Sequence, residues 1–117
     1  MTHISTQQIA RLNDRCRHGL DPTARIMVTR TCLARVAGED TGLAEVLAQA
    51  ELLAAVRRYD FKPGDGPERD FGAFDLRDHK ILFKIDYYDM ALEFGSNDPA
   101  DASITRRVLT VMLAEDY

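Results

Sequence analysis

Two aspartates and two tyrosines stand together in the second half of the chain, in the run Asp86-Tyr87-Tyr88-Asp89. Because alternate residues of a strand project to opposite faces, Asp86 and Tyr88 are expected to share one face, with Tyr87 on the other. Paired carboxylates can do acid–base work or hold a divalent ion, and His79 could join them. The same side chains also suit a solvated sheet face or a protein interface, where aromatic groups bury large areas.

Residues that bind metals or act as nucleophiles are scarce. The histidines are His3, His18 and His79. None of them stands at the i, i+4 spacing that places two imidazoles on one helix face. Cys16 and Cys32 form no zinc motif, and we expect free thiols in a reducing compartment. Gly64-Asp65-Gly66 matches no phosphate-binding loop. Because none of these residue types forms a recognisable motif, the sequence predicts no catalytic residue, no metal site and no cofactor.

Charge is distributed unevenly along the chain. Residues 1–58 hold eight Lys or Arg against six Asp or Glu, whereas residues 59–117 hold seven against thirteen. An acidic half disfavours direct nucleic-acid binding and favours a protein partner with a basic surface. The alternative is that these acids only keep the protein in solution. The predicted partner-binding residues are Asp65, Glu68, Asp75, Asp86, Tyr88, Asp89 and Asp98.

The first half alternates between helix and strand patterns. Ser5-Thr6-Gln7-Gln8 has the form of a capping box, and it predicts a first helix from about Thr6 to His18. Ala24 to Thr31 is rich in β-branched and apolar residues and predicts a strand. Leu33 to Asp40 is ambiguous between helix and strand.

A second helix is predicted from a cap at Asp40 or Thr41 to about Arg58. Its apolar residues recur at helical spacing and form one stripe. The members of that stripe are Leu43, Val46, Leu47, Ala50, Leu53 and Ala54.

The second half begins with a loop rich in proline, glycine and acids, residues 59–68. From Asp70 to Phe94 the pattern predicts an antiparallel β-meander of three strands. Ile81, Phe83, Ile85 and Tyr87 alternate with more polar residues along its central strand. The last strand of the meander is predicted to be Met90 to Phe94. Ile104, Val108, Val111 and Met112 then predict a final amphipathic helix to about Ala114.

These elements predict an α+β fold and a single domain over residues 1–117. We expect a mostly antiparallel sheet of three or four strands with three helices packed on one face, in the order α-β-α-β-β-β-α. No apolar run reaches the roughly 20 residues that span a bilayer. The start of the chain lacks the basic and apolar regions of a signal peptide, which predicts a cytoplasmic protein with no membrane partner.

Several segments of the second half resemble a family of short proteins of unknown function. The similarity is carried by residues 70–74, 84–89, 95–101 and 107–115, with the motifs Lys84-Ile85-Asp86-Tyr87-Tyr88-Asp89 and Asp98-Pro99-Ala100-Asp101. The resemblance extends over roughly residues 5–117. It implies an origin in alphaproteobacteria, often on plasmids and other mobile elements. It implies no reaction, because none is assigned to that family.

Three functional hypotheses follow. The leading one is a non-enzymatic interaction protein that binds a basic, nucleic-acid-handling partner through acidic residues. Its more specific form is an inhibitor of a host defence complex of the anti-CRISPR or anti-restriction type. The second is a small enzyme or metal-dependent protein that uses Asp86, Asp89 and His79. The third is an accessory module that binds nucleic acid through the arginines of the first half, such as Arg57 and Arg58.

Overall fold

The computed structural model describes residues 2–117, and side chains from residue 5 onward, so the side chain of His3 lies outside the described part. The described helices are α1 (Thr2–Arg17), α2 (Arg30–Ala37) and α3 (Gly42–Arg57). The strands are β1 (Arg25–Val28), β2 (Phe71–Leu76), β3 (His79–Tyr88) and β4 (Arg106–Leu113). The predicted α+β class is therefore confirmed. Not one of the helices described is both long and apolar enough to traverse a lipid bilayer.

The four strands form one sheet in the order β1-β4-β3-β2. β2 and β3 form the predicted antiparallel hairpin, and β4 runs antiparallel to β3. β1 pairs with β4 in parallel. The sheet is therefore mixed. β4, the last strand of the chain, lies between β1 and β3 and runs parallel to β1 but antiparallel to β3.

The third strand of the predicted meander was wrong. Residues 90–94 form a turn, and Gly95 makes only an isolated bridge to Tyr88. The strand that pairs with the other edge of β3 is β4, which follows a loop of residues 89–105. We call this segment the β3–β4 loop.

The predicted final helix was also wrong, because residues 106–113 form β4. This strand lies in the middle of the sheet, and six of its eight residues are buried. A strand covered on both faces is apolar at consecutive positions, so the alternation of a half-buried strand is lost. Its apolar residues then also fit a helical spacing.

The element order is α-β-α-α-β-β-β rather than the predicted order. The strand predicted from Ala24 to Thr31 is shorter, because β1 ends at Val28 and α2 begins at Arg30. The ambiguous segment from Leu33 to Asp40 belongs to α2 as far as Ala37, and Thr29 caps this helix by accepting a hydrogen bond from the Cys32 amide. α1 begins at Thr2, so Ser5 lies inside that helix and the predicted capping box was wrong. Of the two caps predicted for α3, the structure has Thr41, whose hydroxyl accepts a hydrogen bond from the Ala44 amide.

Helix α3 is apolar on two sides. Its buried residues are Ala48, Leu52 and Val56. The stripe identified in the sequence points elsewhere, since Leu43 is 70% exposed and Val46 is 65% exposed. Both faces are rich in alanine and leucine, so spacing alone does not distinguish the buried face from the exposed one.

The hydrophobic core joins residues of all three helices to alternate residues of the central strands. On the sheet these are Ile81, Phe83 and Ile85 of β3, with Leu109, Val111 and Leu113 of β4. The ring of Tyr59 packs edge-on against Phe83, with 5.3 Å between ring centroids. It lies over Gly72, where a Cβ atom would come within 2.5 Å of the rings of Tyr59 and Phe83.

Candidate interaction surface and its supporting network

A buried arginine lies at the end of the sheet from which the β3–β4 loop departs. Arg107 on β4 is 1% exposed. Its Nε donates to Asn13 Oδ1 at 2.6 Å and its Nη2 donates to the Pro99 carbonyl oxygen at 2.6 Å. Its guanidinium carbon lies 5.1 Å from the centre of the Tyr87 ring. One side chain thus joins α1, β3, β4 and the β3–β4 loop.

Asn13 on α1 extends this network toward Glu68. Its Nδ2 lies 2.8 Å from the hydroxyl of Tyr87 and 3.0 Å from the carbonyl oxygen of Glu68. The Tyr87 hydroxyl donates in turn to Glu68 Oε1 at 2.9 Å. Burial, with the hydrogen bond to Glu68, raises the pKa of Tyr87 against the opposing effect of Asn13, so the phenol stays protonated. These bonds are internal, and they hold the sheet end in place.

A second cluster surrounds Phe61. Arg17 and Arg69 both donate to Asp14 Oδ1 at 2.9 Å. Their guanidinium carbons lie 5.0 Å and 4.2 Å from the centre of the Phe61 ring. Arg17 also binds the carbonyl oxygens of Val56 and Arg57 at the end of α3. This arginine therefore serves the fold.

Two of the predicted partner-binding residues are engaged inside the protein. Glu68 belongs to the network of Asn13 and Tyr87. Asp65 Oδ2 accepts hydrogen bonds from the Tyr59 hydroxyl at 2.6 Å and from the Lys62 amide at 2.8 Å, and these bonds hold the pKa of Asp65 below its usual value. Both carboxylates order the segment before β2.

Asp75 and Asp86 project from the sheet face opposite the core. Asp86 lies 2.6 Å from the Nζ of Lys84, and Asp75 lies 3.8 Å from the Nζ of Lys80. Tyr88 shares this face and stands beside Arg106 in the register of β3 and β4. Positive and negative groups therefore alternate here, and the sheet face itself forms no uniform acidic patch.

Asp89 and Asp98 lie in the β3–β4 loop, where the charge is of one sign. The loop contains four acids and no lysine, arginine or histidine. It also exposes apolar side chains: Phe94 is 73% exposed, Met90 44% and Ile104 41%. The four acids are Asp89, Glu93, Asp98 and Asp101.

The β3–β4 loop is ordered by its own hydrogen bonds. Asp89 Oδ1 accepts from the Glu93 amide, and Asp98 Oδ1 accepts from the Ala100 amide. The base of the loop is closed by Thr105, which is 2% exposed and donates its hydroxyl hydrogen to the Asp98 carbonyl oxygen at 2.8 Å. The loop therefore presents an aromatic side chain and several carboxylates on a fixed backbone.

Sequence reasoning missed Phe94, Asn13 and Arg107. It assigned Phe94 to a strand face, although residues 85–105 carry five acids and no basic residue. That run of one sign around an aromatic residue was the available signal. Nothing in the sequence pairs Asn13 with Arg107, since 94 positions separate them.

Comparison of the sequence with models of known protein families gives a match. Residues 6–116 match the family described as "Protein of unknown function (DUF3768)". The chain belongs to this family. No curated protein and no solved structure matches it. The family membership brings no assigned activity, so function rests on the geometry of this member.

The hypothesis of an enzyme or metal site at Asp86, Asp89 and His79 gains no convergent site. His79 begins β3 and Asp86 lies near its other end, about 23 Å away at the usual rise of a strand. Among the described residues, no three His, Cys, Asp or Glu side chains come close enough to hold a metal ion. Of the first-half arginines, Arg17 is 4% exposed and adds nothing to a basic surface. Arg57 and Arg58 are exposed, so the nucleic-acid hypothesis stays a prediction.

Proposed function

We propose that this protein is a non-enzymatic interaction protein whose β3–β4 loop binds a protein partner with a basic surface. The observation that carries the proposal is Phe94, which is 73% exposed in a segment with four acids and no basic side chain. An exposed aromatic group that enters a pocket is the usual energetic centre of an interface. Surrounding charges steer the partner and select for opposite charge.

The proposal keeps four of the predicted partner-binding residues. Asp89 and Asp98 lie in the loop, and Asp86 and Tyr88 lie on the strand that leads into it. Because the loop is held by its own hydrogen bonds, little conformational freedom is lost on binding. Asp65, Glu68 and Asp75 lie outside this loop and take no part in the proposed contact.

We further propose that the partner handles nucleic acid. A protein surface that binds phosphate groups is basic, and carboxylates spaced along a loop can occupy the same surface. An inhibitor of a host defence complex, of the anti-CRISPR or anti-restriction type and encoded on a mobile element, is the specific form of this proposal. Its support is the charge and shape of the loop.

Pull-down from a bacterial host lysate tests the proposal, with captured proteins identified by mass spectrometry. The wild-type chain should capture a basic partner at low salt and release it at high salt, because exposed ion pairs are screened. Added duplex DNA should compete. Phe94→Ser should lose capture even at low salt, whereas replacing Glu93 and Asp101 by Gln and Asn should lower the salt concentration at which the partner is released.

Leu20→Ser is the matched control, since Leu20 is 63% exposed and lies outside the loop. It should capture the partner as the wild type does. Equal capture by the Phe94→Ser variant, or the lack of any salt-sensitive partner, would remove the proposal.

A further inference from the structure

The outer face of α3 is apolar over most of its length. Leu43, Val46 and Leu47 are 70%, 65% and 53% exposed. At 100° per residue, the exposed stripe occupies one side of the helix, opposite Ala48, Leu52 and Val56. The stripe comprises the exposed Leu43, Val46, Leu47 and Ala50 with the half-buried Leu53 and Ala54, and Leu53 also packs against the core. A contiguous apolar surface of this kind marks an interaction site.

The two ends of α3 carry opposite charges. Glu39 and Asp40 are exposed just before its first residue, and Arg57 and Arg58 are exposed at its end. Within the described residues, none of these four side chains forms an ion pair. The surface therefore runs from acidic, through apolar, to basic.

We propose that the outer face of α3 binds the same face of a second copy of this chain, with the two helices antiparallel. A two-fold axis crossing α3 at the level of Gln49 would place the acidic segment before α3, which holds Glu39 and Asp40, opposite Arg57 and Arg58 of the second copy. The acidic end of each copy then faces the basic end of the other. The two-fold symmetry of such an interface repeats this contact, so it occurs twice.

The shapes are complementary under the same two-fold axis. Leu43 comes opposite Ala54, and Leu47 comes opposite Ala50, so each large side chain meets a small one. Shallow grooves flank the helix, one lined by Leu33 and Leu53 and the other by Leu76 and Arg77. Ridges of one helix can enter such grooves of its partner.

A second copy fits this face better than an unrelated partner of one charge. An acidic partner would meet repulsion at Glu39 and Asp40, and a basic partner would meet it at Arg57 and Arg58. α3 has 16 residues, so the contact is about 24 Å long and small for a permanent dimer. We therefore expect a weak dimer, with a dissociation constant on the order of micromolar.

Sedimentation over a concentration series measures the dimer directly. The wild-type chain should pass from monomer to dimer as concentration rises. The double variant Leu43→Glu, Leu47→Glu should weaken association by at least about 100-fold, because charges would face an apolar surface. Leu20→Glu, at an exposed leucine on another surface, should leave it unchanged. A wild-type chain that stays monomeric up to millimolar concentration overturns the proposal.

Charge exchange tests the antiparallel arrangement. Replacing Arg57 and Arg58 by Glu should weaken self-association, as should replacing Glu39 and Asp40 by Arg. The two variants mixed together should associate, and one chain carrying all four changes should again form its own dimer. Circular dichroism confirms folding of each. Failure of the mixture to associate, with both variants folded, contradicts this arrangement.

A cross-link near the axis gives a second measurement that keeps the wild-type charges. Ala50→Cys should form a disulfide between copies under mild oxidation, because the two positions approach each other across the axis. Lys62→Cys, at an exposed site away from α3, is the control. Equal cross-linking at both positions would contradict the proposed face. This inference concerns a different surface from the β3–β4 loop, so either proposal can fail alone.

Discussion

Arg107 donates a hydrogen bond from Nε to the side-chain oxygen of Asn13, at 2.6 Å and across 94 positions of the chain. Both side chains are at most 1% exposed. The bond ties the central strand β4 to the first helix and leaves no polar group of Asn13 without a partner. The anchoring of the β3–β4 loop depends on this pair, because Arg107 also binds the Pro99 carbonyl oxygen inside that loop.

Arg107→Leu should lower the free energy of unfolding by about 2–4 kcal/mol, since Asn13 and Pro99 would keep buried acceptors without donors. Urea denaturation followed by circular dichroism measures this change. Arg106→Leu is the control, because the Arg106 side chain donates an exposed hydrogen bond to the Thr23 carbonyl oxygen; the loss of stability should be roughly 1 kcal/mol or less. Equal losses of unfolding free energy in the two variants would show that the Arg107 network does not stabilise the fold more than an exposed hydrogen bond does.

Gly72→Ala should destabilise the protein by about 1–3 kcal/mol through overpacking. The added Cβ would lie 2.5 Å from ring atoms of both Tyr59 and Phe83, so one ring must move. Thermal unfolding monitored by tyrosine fluorescence reports the change. Gly64→Ala, where nothing lies within 4 Å, should unfold at nearly the wild-type temperature. A Gly72→Ala variant as stable as this control would argue against the Tyr59 packing.

Asp14→Asn should lower stability at neutral pH and weaken the acid sensitivity of the protein. Burial raises the pKa of Asp14, but hydrogen bonds and charges from Arg17 and Arg69 outweigh it and hold the pKa below its usual 3.8. The ionised form thus stabilises the fold above that value, and the contribution is lost as pH falls through the folded pKa. Denaturation curves recorded from neutral pH down into the acid range below 3.8 measure the difference.

Asp70→Asn should have the opposite effect and serves as the counterpart of the Asp14 variant. Burial is the largest influence and raises the pKa of Asp70, a hydrogen bond from its own backbone amide opposes this, and repulsion from Glu68 and Asp86 adds to the rise. The ionised form therefore costs stability as pH rises above the usual 3.8. The variant should be more stable than the wild type at neutral pH. If both variants shift stability in the same direction, these environments are wrongly described.

Cys16 and Cys32 should resist thiol reagents in the folded protein. Both side chains are fully buried, and burial, with the nearby acids Asp21 and Asp116, raises the pKa of each thiol to about 11, despite an opposing effect of Arg107 on Cys16. Thiolates are the reactive form. Titration with a chromogenic disulfide at neutral pH should label no cysteine before denaturant is added and both afterwards. Rapid labelling of the native protein would contradict this packing.

Local patterns predicted much of the secondary structure correctly. Alternation along residues 81–87 located β3, and the meander predicted to begin at Asp70 included its hairpin with β2. The Thr41 cap and the alanine-rich run located α3. These features depend on contacts between residues close in the chain, or on one buried and one solvated face, and both leave a period in the sequence. The unbroken acidic character of the β3–β4 loop is equally a property of the sequence.

Tertiary structure alone decided the rest. Residues 106–113 became a strand because β1 and β3 both pair with them in the centre of the sheet. Only one of the two apolar sides of α3 is buried. Ala48, Leu52 and Val56 pack in the core against the sheet. Leu43 and Leu47, on the other side, are exposed to solvent. Asn13 met Arg107 only through folding. Burial on both faces removes the period that distinguishes helix from strand, and contacts between distant residues leave no local pattern at all.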